Sequence, residues 1–311
     1  MIEAKTNEKI EFLRITTEHK ALYEEYLHRE SERGCEFSFA NLYMWGRQSL
    51  ALVDDNVVLF SQFDRRSVYP YPLGAGDKKA VIDRIIEDSR SRGIPCRITG
   101  LCHSARETLE ALYPGMFRYH SDEGSFDYVY SIDDLADLSG KKYHGKRNHL
   151  YRFREACPNY KAVPITEENL PGVQKMAENW YLNRLAENPD ADFNMERAAL
   201  NKAFRSYTAL GMVGLLIENE GEILAFTMAS PLSPDTLDVH FEKAVADVQG
   251  AYTVVNNEFA RYIRDHYPEI KYLDREEDMG LEGLRRAKRS YHPAYMIKKS
   301  WACLLEEGYD Y

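Results

Sequence analysis

One run of elements is written twice along this chain of 311 residues: a hairpin, a further strand, a glycine-bearing turn and an amphipathic helix. A pattern of this kind confines the fold to mixed sheets with helices packed on them. In the first half, Leu50 to Val53 and Val57 to Phe60 flank Asp54-Asp55-Asn56 as a hairpin, and Val68 to Leu73 supplies the next strand. Gly74-Ala75-Gly76 then leads to Asp77, placed to cap a helix that carries Val81, Ile85 and Ile86 and stops at Gly93 and Pro95. In the second half, Val213 to Glu218 and Ile223 to Ala229 flank the turn Asn219-Glu220-Gly221, and Leu237 to Val245 follows as a strand. Asp247 to Gly250 then gives way to a helix, Thr253 to Tyr267, with Val255, Phe259 and Tyr262 inward and Pro268 closing it. Helices precede both runs, at Glu18 to Glu30 and Phe37 to Trp45, then at Glu168 to Leu185 and Met195 to Leu210. Arg97 to Thr99, Phe126 to Tyr130, Ile270 to Asp274 and Ala294 to Trp301 add strands. Strands that arrive as hairpins predict largely antiparallel sheets, hence a mixed α+β class.

The length suits two domains, each large enough for its own core. The acidic stretch Asp133 to Gly140 marks the boundary, giving domains at 1–135 and 161–311 with a basic helix, 136–160, between them. An apolar share of 44% excludes wholesale disorder, and no stretch approaches the run of about 20 apolar residues that a membrane span needs. The start is too polar for a signal peptide, so a cytoplasmic location is expected. Five scattered cysteines, without a Cys-x-x-Cys pair, predict buried thiols rather than disulfides or zinc. Trp45, Trp180 and Trp301 read as core.

Net charge is -10, which argues against a coat of nucleic acid or anionic lipid, but two short segments run the other way. Between Gly140 and Arg154 stand Lys141, Lys142, Lys146, Arg147, Arg152 and Arg154 with no acid. From Arg147 onward Leu150, Phe153 and Cys157 share a helix face, while Arg147, Tyr151 and Arg154 form a neighbouring strip. Cations interleaved with an aromatic suit a phosphate backbone and a stacked base; a solvated helix face would carry the same residues. The second segment, Gly283 to Ser300, holds Arg285, Arg286, Lys288, Arg289, Lys298 and Lys299. It follows the acids Glu276, Glu277 and Asp278, an arrangement suited to setting a phosphate beside an amine, or to surface ion pairs.

Gln249-Gly250-Ala251 opens a helix as a phosphate cradle does, and Gly74-Ala75-Gly76 occupies the matching place in the first half, although a plain turn has the same composition. Asp238, His240 and Glu242 alternate along a strand, which places all three on one face, ready to orient an amine or take its proton. No His-Glu-x-x-His or tight His/Asp motif is present, so no metal is expected.

The run from Arg275 to Tyr295, with Gly283-Leu284-Arg285-Arg286-Ala287-Lys288 at its centre, resembles the signature of the phosphatidylglycerol lysyltransferase C-terminal domain family. Cys35 to Trp45, Tyr71-Pro72-Leu73-Gly74 and Gly140 to Asn148 are similar to its soluble, stand-alone branch. The resemblance implies tandem GNAT acyltransferase folds joined by a basic helix. In the membrane-anchored relatives the module moves an amino acid from aminoacyl-tRNA to a phosphatidylglycerol head group. By that analogy Lys141, Lys142, Lys146 and Arg147 receive the tRNA end, and Arg285 and Lys288 sit by the aminoacyl ester. Where those relatives carry Asp-Leu-Met-Arg, this chain has Asp238-Val239-His240-Phe241, so the aspartate matches and the arginine does not.

The expectation is therefore an aminoacyltransferase with no tightly bound cofactor, aminoacyl-tRNA as donor, and a small-molecule, lipid head-group or peptide acceptor. Asp238, Arg285 and Lys288 are its catalytic candidates; Lys141, Lys142, Lys146, Arg147, Gln249, Gly250 and Tyr291 are its binding candidates. Two alternatives stand beside it: an N-acyltransferase with acyl-CoA pyrophosphate over Gln249, Gly250 and Ala251, and a silent module that binds an RNA end or an anionic ligand.

Overall fold

The computed structural model describes residues 9–29, 33–46, 48–63 and 66–305. Two compact units make up the chain, one of residues 1–126 with 297–311 and one of residues 127–296. Residue 135 and the basic helix both lie inside the second unit.

In the first unit a sheet runs in the order 13–14, 48–53, 56–63, 66–70, 97–101, 300–304, 117–121, with 73–74 paired to 56–63. Its hairpin turns through Asp54 and Asp55, both at positive φ (47° and 55°), the hand of turn that matches strand twist. The helix Lys78–Arg92 starts at Asp77, whose carboxylate accepts from the Lys79 and Ala80 N–H groups. Val81, Ile82 and Ile85 from that helix are buried against Val58, Tyr69, Ile98 and Leu101. Each such side chain contributes about 1.5–3 kcal/mol of burial. The stretch expected as one strand from Ala294 to Trp301 is two, Tyr295–Ile297 and Ser300–Leu304, in different sheets. Lys298 and Lys299 separate them, so the apolar pattern alone did not show the break.

The second unit holds the sheet 295–297, 127–131, 272–274, 236–244, 222–233, 213–219, 161–164. Strands 161–164, 213–219, 222–233 and 236–244 pair antiparallel in succession. Strand 272–274 joins 236–244 in parallel, and only from Thr236↔Tyr272 to Asp238↔Asp274. One face is covered by the helix Ala251–His266, with Val254, Val255, Phe259 and Ile263 buried among Leu215, Ile217, Ala229 and Val239. Asn257 donates to the Leu135 and Ala136 carbonyls at 2.7 and 2.8 Å and so satisfies the end of the helix Ile132–Asp137. The other face meets the helix Asn194–Arg205, where Phe204 lies against Phe226.

All five cysteines are buried, and none forms a disulfide. Among the described residues no helix is long and apolar enough to cross a membrane. The three tryptophans are half-buried rather than core residues. Trp301 stacks on His120 at 4.3 Å between centroids, and Trp180 borders a cavity of about 760 Å³ with Arg184, Leu224, Val245 and Asp247.

Candidate functional site

The basic helix, His144–Ala156, packs as its pattern requires, with Leu150 and Phe153 buried, but its cations have separate duties. Lys141 is exposed. Lys142 pairs with Asp134 at 3.0 Å. Arg147 donates to the Leu138 and Gly140 carbonyls at 2.6 and 2.7 Å and closes the preceding turn. Lys146 points elsewhere. Its Nζ lies 3.5 Å from the centroid of the Tyr291 ring, and burial, with the Arg275 charge beside it, lowers its pKa to about 8.

The two basic segments thus meet within this unit. Tyr143 donates to the Tyr291 carbonyl at 3.0 Å, and His292 Nε2 lies 3.2 Å from the Lys142 carbonyl. Gly250 allows the basic helix to seat. It has φ of +92°, and a Cβ there would stand 2.5 Å from the His149 carbonyl oxygen and 3.2 Å from Phe153 Cβ. The start of the helix Ala251–His266 is consequently approached by a carbonyl, while Gln249 beside it is exposed.

Arg285 and Lys288, on the helix Glu282–Arg289, hold the acidic loop before it. Arg285 grips Asp278 with two hydrogen bonds, at 2.8 and 3.1 Å. Asp278 also accepts from Tyr128 OH at 2.7 Å and from the Gly280 N–H at 2.8 Å; Arg285, then these donors, hold its carboxyl down to about 2. Lys288 Nζ donates to the carbonyls of Arg275, of Glu276 at 3.0 Å and of Glu277 at 2.7 Å. These two cations therefore shape the loop that presents the side chains of Arg275 and Glu276.

Arg275 is the residue that the sequence did not single out. Its Nη2 bonds to Glu242 Oε1 at 2.8 Å, and its guanidinium lies 5.0 Å from the Tyr291 centroid and 5.6 Å from that of Tyr130. Its Nη1 is buried and makes no hydrogen bond. Lys146, Arg275, Glu242 and Tyr291 form one wall, with the Tyr291 hydroxyl 3.4 Å from Thr253 Oγ1. The only sign of Arg275 in the sequence was its place at the head of the acidic run.

Asp238, His240 and Glu242 do not share one face. Strand register slips between Met228, which faces Phe241, and Ala229, which faces Val239, so His240 is an extra, bulged residue. Asp238 lies opposite Ser230 and Glu242 opposite Thr227, and Ser230 and Thr227 project to opposite sides of their strand. Glu242 therefore joins the Lys146 wall, while Asp238, fully buried, stays with His240 on the other side. Beyond Asp238↔Asp274 the parallel strands no longer pair, and this divergence is where the two sets of side chains emerge.

Comparisons with known proteins agree with this architecture. The family described as phosphatidylglycerol lysyltransferase, C-terminal, matches residues 28–303. A conserved protein of unknown function from Bacteroides thetaiotaomicron is 36% identical, with a TM-score of 0.90 over 95% of this chain and 100% of that one. L-PGS from Bacillus licheniformis is 15% identical, with a TM-score of 0.66 over 97% of this chain and 94% of its own. An uncharacterised protein of Mycoplasmoides gallisepticum is 25% identical over 179 residues, 57% of this chain and 56% of that protein, so the match spans about half of this relative. The same fold recurs, more distantly, in FemX and in a tandem GNAT protein from the clavulanic acid biosynthesis pathway. The chain belongs to the phosphatidylglycerol lysyltransferase C-terminal family and has its tandem GNAT-like acyltransferase fold.

Proposed function

We propose that this protein is an aminoacyltransferase that takes an amino acid from aminoacyl-tRNA and delivers it to an amine or hydroxyl acceptor in the cytoplasm. The observation that carries this reading is the meeting of the two basic segments, with Lys146 and Arg275 flanking the Tyr291 ring and Glu242 bound to Arg275. A cationic wall with an aromatic face fits the terminal phosphate and base of a tRNA end. Lys141, exposed, and Lys142, on the rim, would extend that surface along the backbone.

In the transfer, the acceptor nitrogen or oxygen attacks the ester carbonyl, a new amide or ester bond forms, and the tRNA terminal hydroxyl leaves with a proton. Lys146, with its pKa near 8, can accept the acceptor's proton and return it to the leaving oxygen. Arg275 would stabilise the charge that develops on the carbonyl oxygen, through the Nη1 that makes no internal hydrogen bond. Arg285 and Lys288 act through the loop, by fixing Arg275. The family description names a lysyl transfer to phosphatidylglycerol, and the Bacillus licheniformis relative is an L-PGS. For this chain the acceptor is proposed only by class: a small molecule, lipid head group or peptide that offers an amine or hydroxyl.

The test is a titration of the protein with aminoacylated tRNA, deacylated tRNA and acetyl-CoA across salt concentrations. Preference for the charged tRNA, weakened by salt and by Lys146→Met, supports the proposal. Saturable binding of acetyl-CoA alone would replace it with an acyl-CoA-dependent N-acyltransferase. Tight binding of tRNA ends without turnover of any donor would make the protein a binding module.

A further inference from the structure

The helix Leu170–Glu187 forms one side of the cleft of about 760 Å³ that Trp180 borders, and strand ends of the same unit form the other. That volume is within the range of about 300–1,000 Å³ in which proteins hold small ligands. Residues four apart on a helix stack on one face, so the helix offers the cleft two strips: Met176, Trp180 and Arg184, and beside them Lys175, Asn179 and Asn183. Ile223, Leu224 and Val245 line it from the strands. The Val245 N–H donates to the Leu224 carbonyl at 2.9 Å, which carries the ladder past Ala225↔Ala244 and brings Asp247 toward Glu222.

The Trp180 ring is held before any ligand arrives. Lys243 Nζ stands 4.0 Å from its centroid and is itself fixed by Glu196 at 2.5 Å, while Tyr181 and Phe193 meet the indole edge to face at 5.2 and 5.8 Å. A fixed aromatic face takes up apolar groups at little entropic cost. The charges around it are sorted. Lys175 and Arg184 stand on the helix side, where Glu187 pairs with Arg184 at 2.8 Å; Glu222 and Asp247 stand on the strand side. A ligand with a carboxylate at one end and an ammonium at the other matches that division, and the amides of Asn179 and Asn183 match the N–H and C=O groups of a peptide backbone. Tyr252 joins the cleft to the cationic wall. Burial raises its pKa, Trp180 and the Ala244 backbone are the hydrogen-bond partners that lower it, and Glu242 and Arg184 are the charges beside it.

We propose that this cleft binds a short peptide with free termini, its backbone along Asn179 and Asn183, an apolar side chain on Trp180, its carboxylate toward Lys175 and its amine toward Asp247. From Lys175 to Asn183 the helix rises about 12 Å, and an extended chain covers about 3.5 Å per residue, so the polar strip matches three residues. The peptide's role as acceptor rests on the transfer reading above: its amine nitrogen forms the new amide as the ester C–O bond breaks, and the proton leaves with the tRNA hydroxyl. Peptide binding itself does not need that reading.

The experiment titrates the full chain by calorimetry with Ala-Leu-Ala, with its N-acetylated form and with free leucine, in the absence of tRNA and acetyl-CoA. Saturable binding at one site per chain is expected for Ala-Leu-Ala, with the acetylated peptide and leucine each weaker by about 10-fold or more. Asp247→Asn should bring the free peptide to the affinity of the acetylated one and leave the latter unchanged. Asn183→Ala should weaken both peptides by about 10-fold. Both residues are exposed, so the Tm of each variant should match that of the wild type. No saturable binding by the wild-type protein, equal affinity for all three ligands, or unchanged binding of Ala-Leu-Ala by both variants would overturn the site. A peptide that binds as expected but takes no label from aminoacyl-tRNA would count against the transfer reading alone.

Discussion

Asp238 and Glu242 stand four residues apart on one strand and project from opposite faces of its sheet. The bulged His240 between them changes the alternation, so a single strand sends its acids to two faces of the sheet. One face carries the wall of Lys146, Arg275, Glu242 and Tyr291; the other carries Asp238 beside His240. Both follow from the end of pairing at Asp238↔Asp274.

The Glu242 and Arg275 side chains are 12% and 14% exposed, which makes this a largely buried ion pair. Removing the acid strands the guanidinium. Glu242→Ala should lower the unfolding free energy by about 3 kcal/mol in urea titration. The double variant with Arg275→Met should recover part of that loss, because the uncompensated charge is gone.

Gly250→Ala and Gly93→Ala separate conformational strain from crowding. Both positions have positive φ, +92° and +67°, but a Cβ at Gly93 meets nothing within 4 Å. Gly93→Ala should lower stability by about 1 kcal/mol. Gly250→Ala adds the clash with His149 and should lose about 2 kcal/mol more. Equal losses in a denaturant titration would contradict the seating of the basic helix on Gly250.

The Asp278 carboxyl sits below its unfolded value of 3.8, at about 2, so the stability it contributes is present above pH 4 and lost as pH falls through 2. Arg285→Ala removes the chief cause of the shift. The variant should unfold more readily at pH 7 and show a shallower loss of stability between about pH 4 and pH 2. Thermal melts across that range measure it.

For Lys146 the slope has the same sign but falls in an alkaline window. Its pKa is lowered to about 8, so the folded state binds fewer protons than the unfolded one from about pH 8 to pH 10.5, and this group adds stability as pH rises through that window. If Lys146 carries the proton in transfer, the rate should climb through about pH 8. Lys146→Arg, which keeps the charge but does not titrate there, should remove that limb and lower the rate by about 100-fold, within the usual range for general-base loss.

The layers of this fold could be read from hydrophobic period and turn chemistry. Asp77 capping its helix, Gly93 ending it and the Asn219-Glu220-Gly221 hairpin are local features, visible in the residues that form them. The basic helix, too, buries the expected Leu150 and Phe153. What local pattern could not show was a change of register. The bulge at His240 depends on the neighbouring strand, and strict alternation had put Asp238 and Glu242 together. Nor does charge alone reveal its partner. Arg285, Lys288 and Arg147 look alike in sequence to Lys146, yet three of them bind internal carboxylate or carbonyl groups and one faces an aromatic ring. Arg275 became visible only once strand 236–244 and the acidic loop were side by side.

The measurement that bears most directly on the central claim is single-turnover deacylation of radiolabelled aminoacyl-tRNA by excess protein, with and without a mixture of amine acceptors. Aminoacyl transfer predicts acceptor-dependent loss of label from tRNA into a stable amide or ester product, slowed by Lys146→Met and by high salt. Label that stays on tRNA at the uncatalysed rate with every acceptor, while acetyl-CoA supports transfer to the same amines, would contradict it.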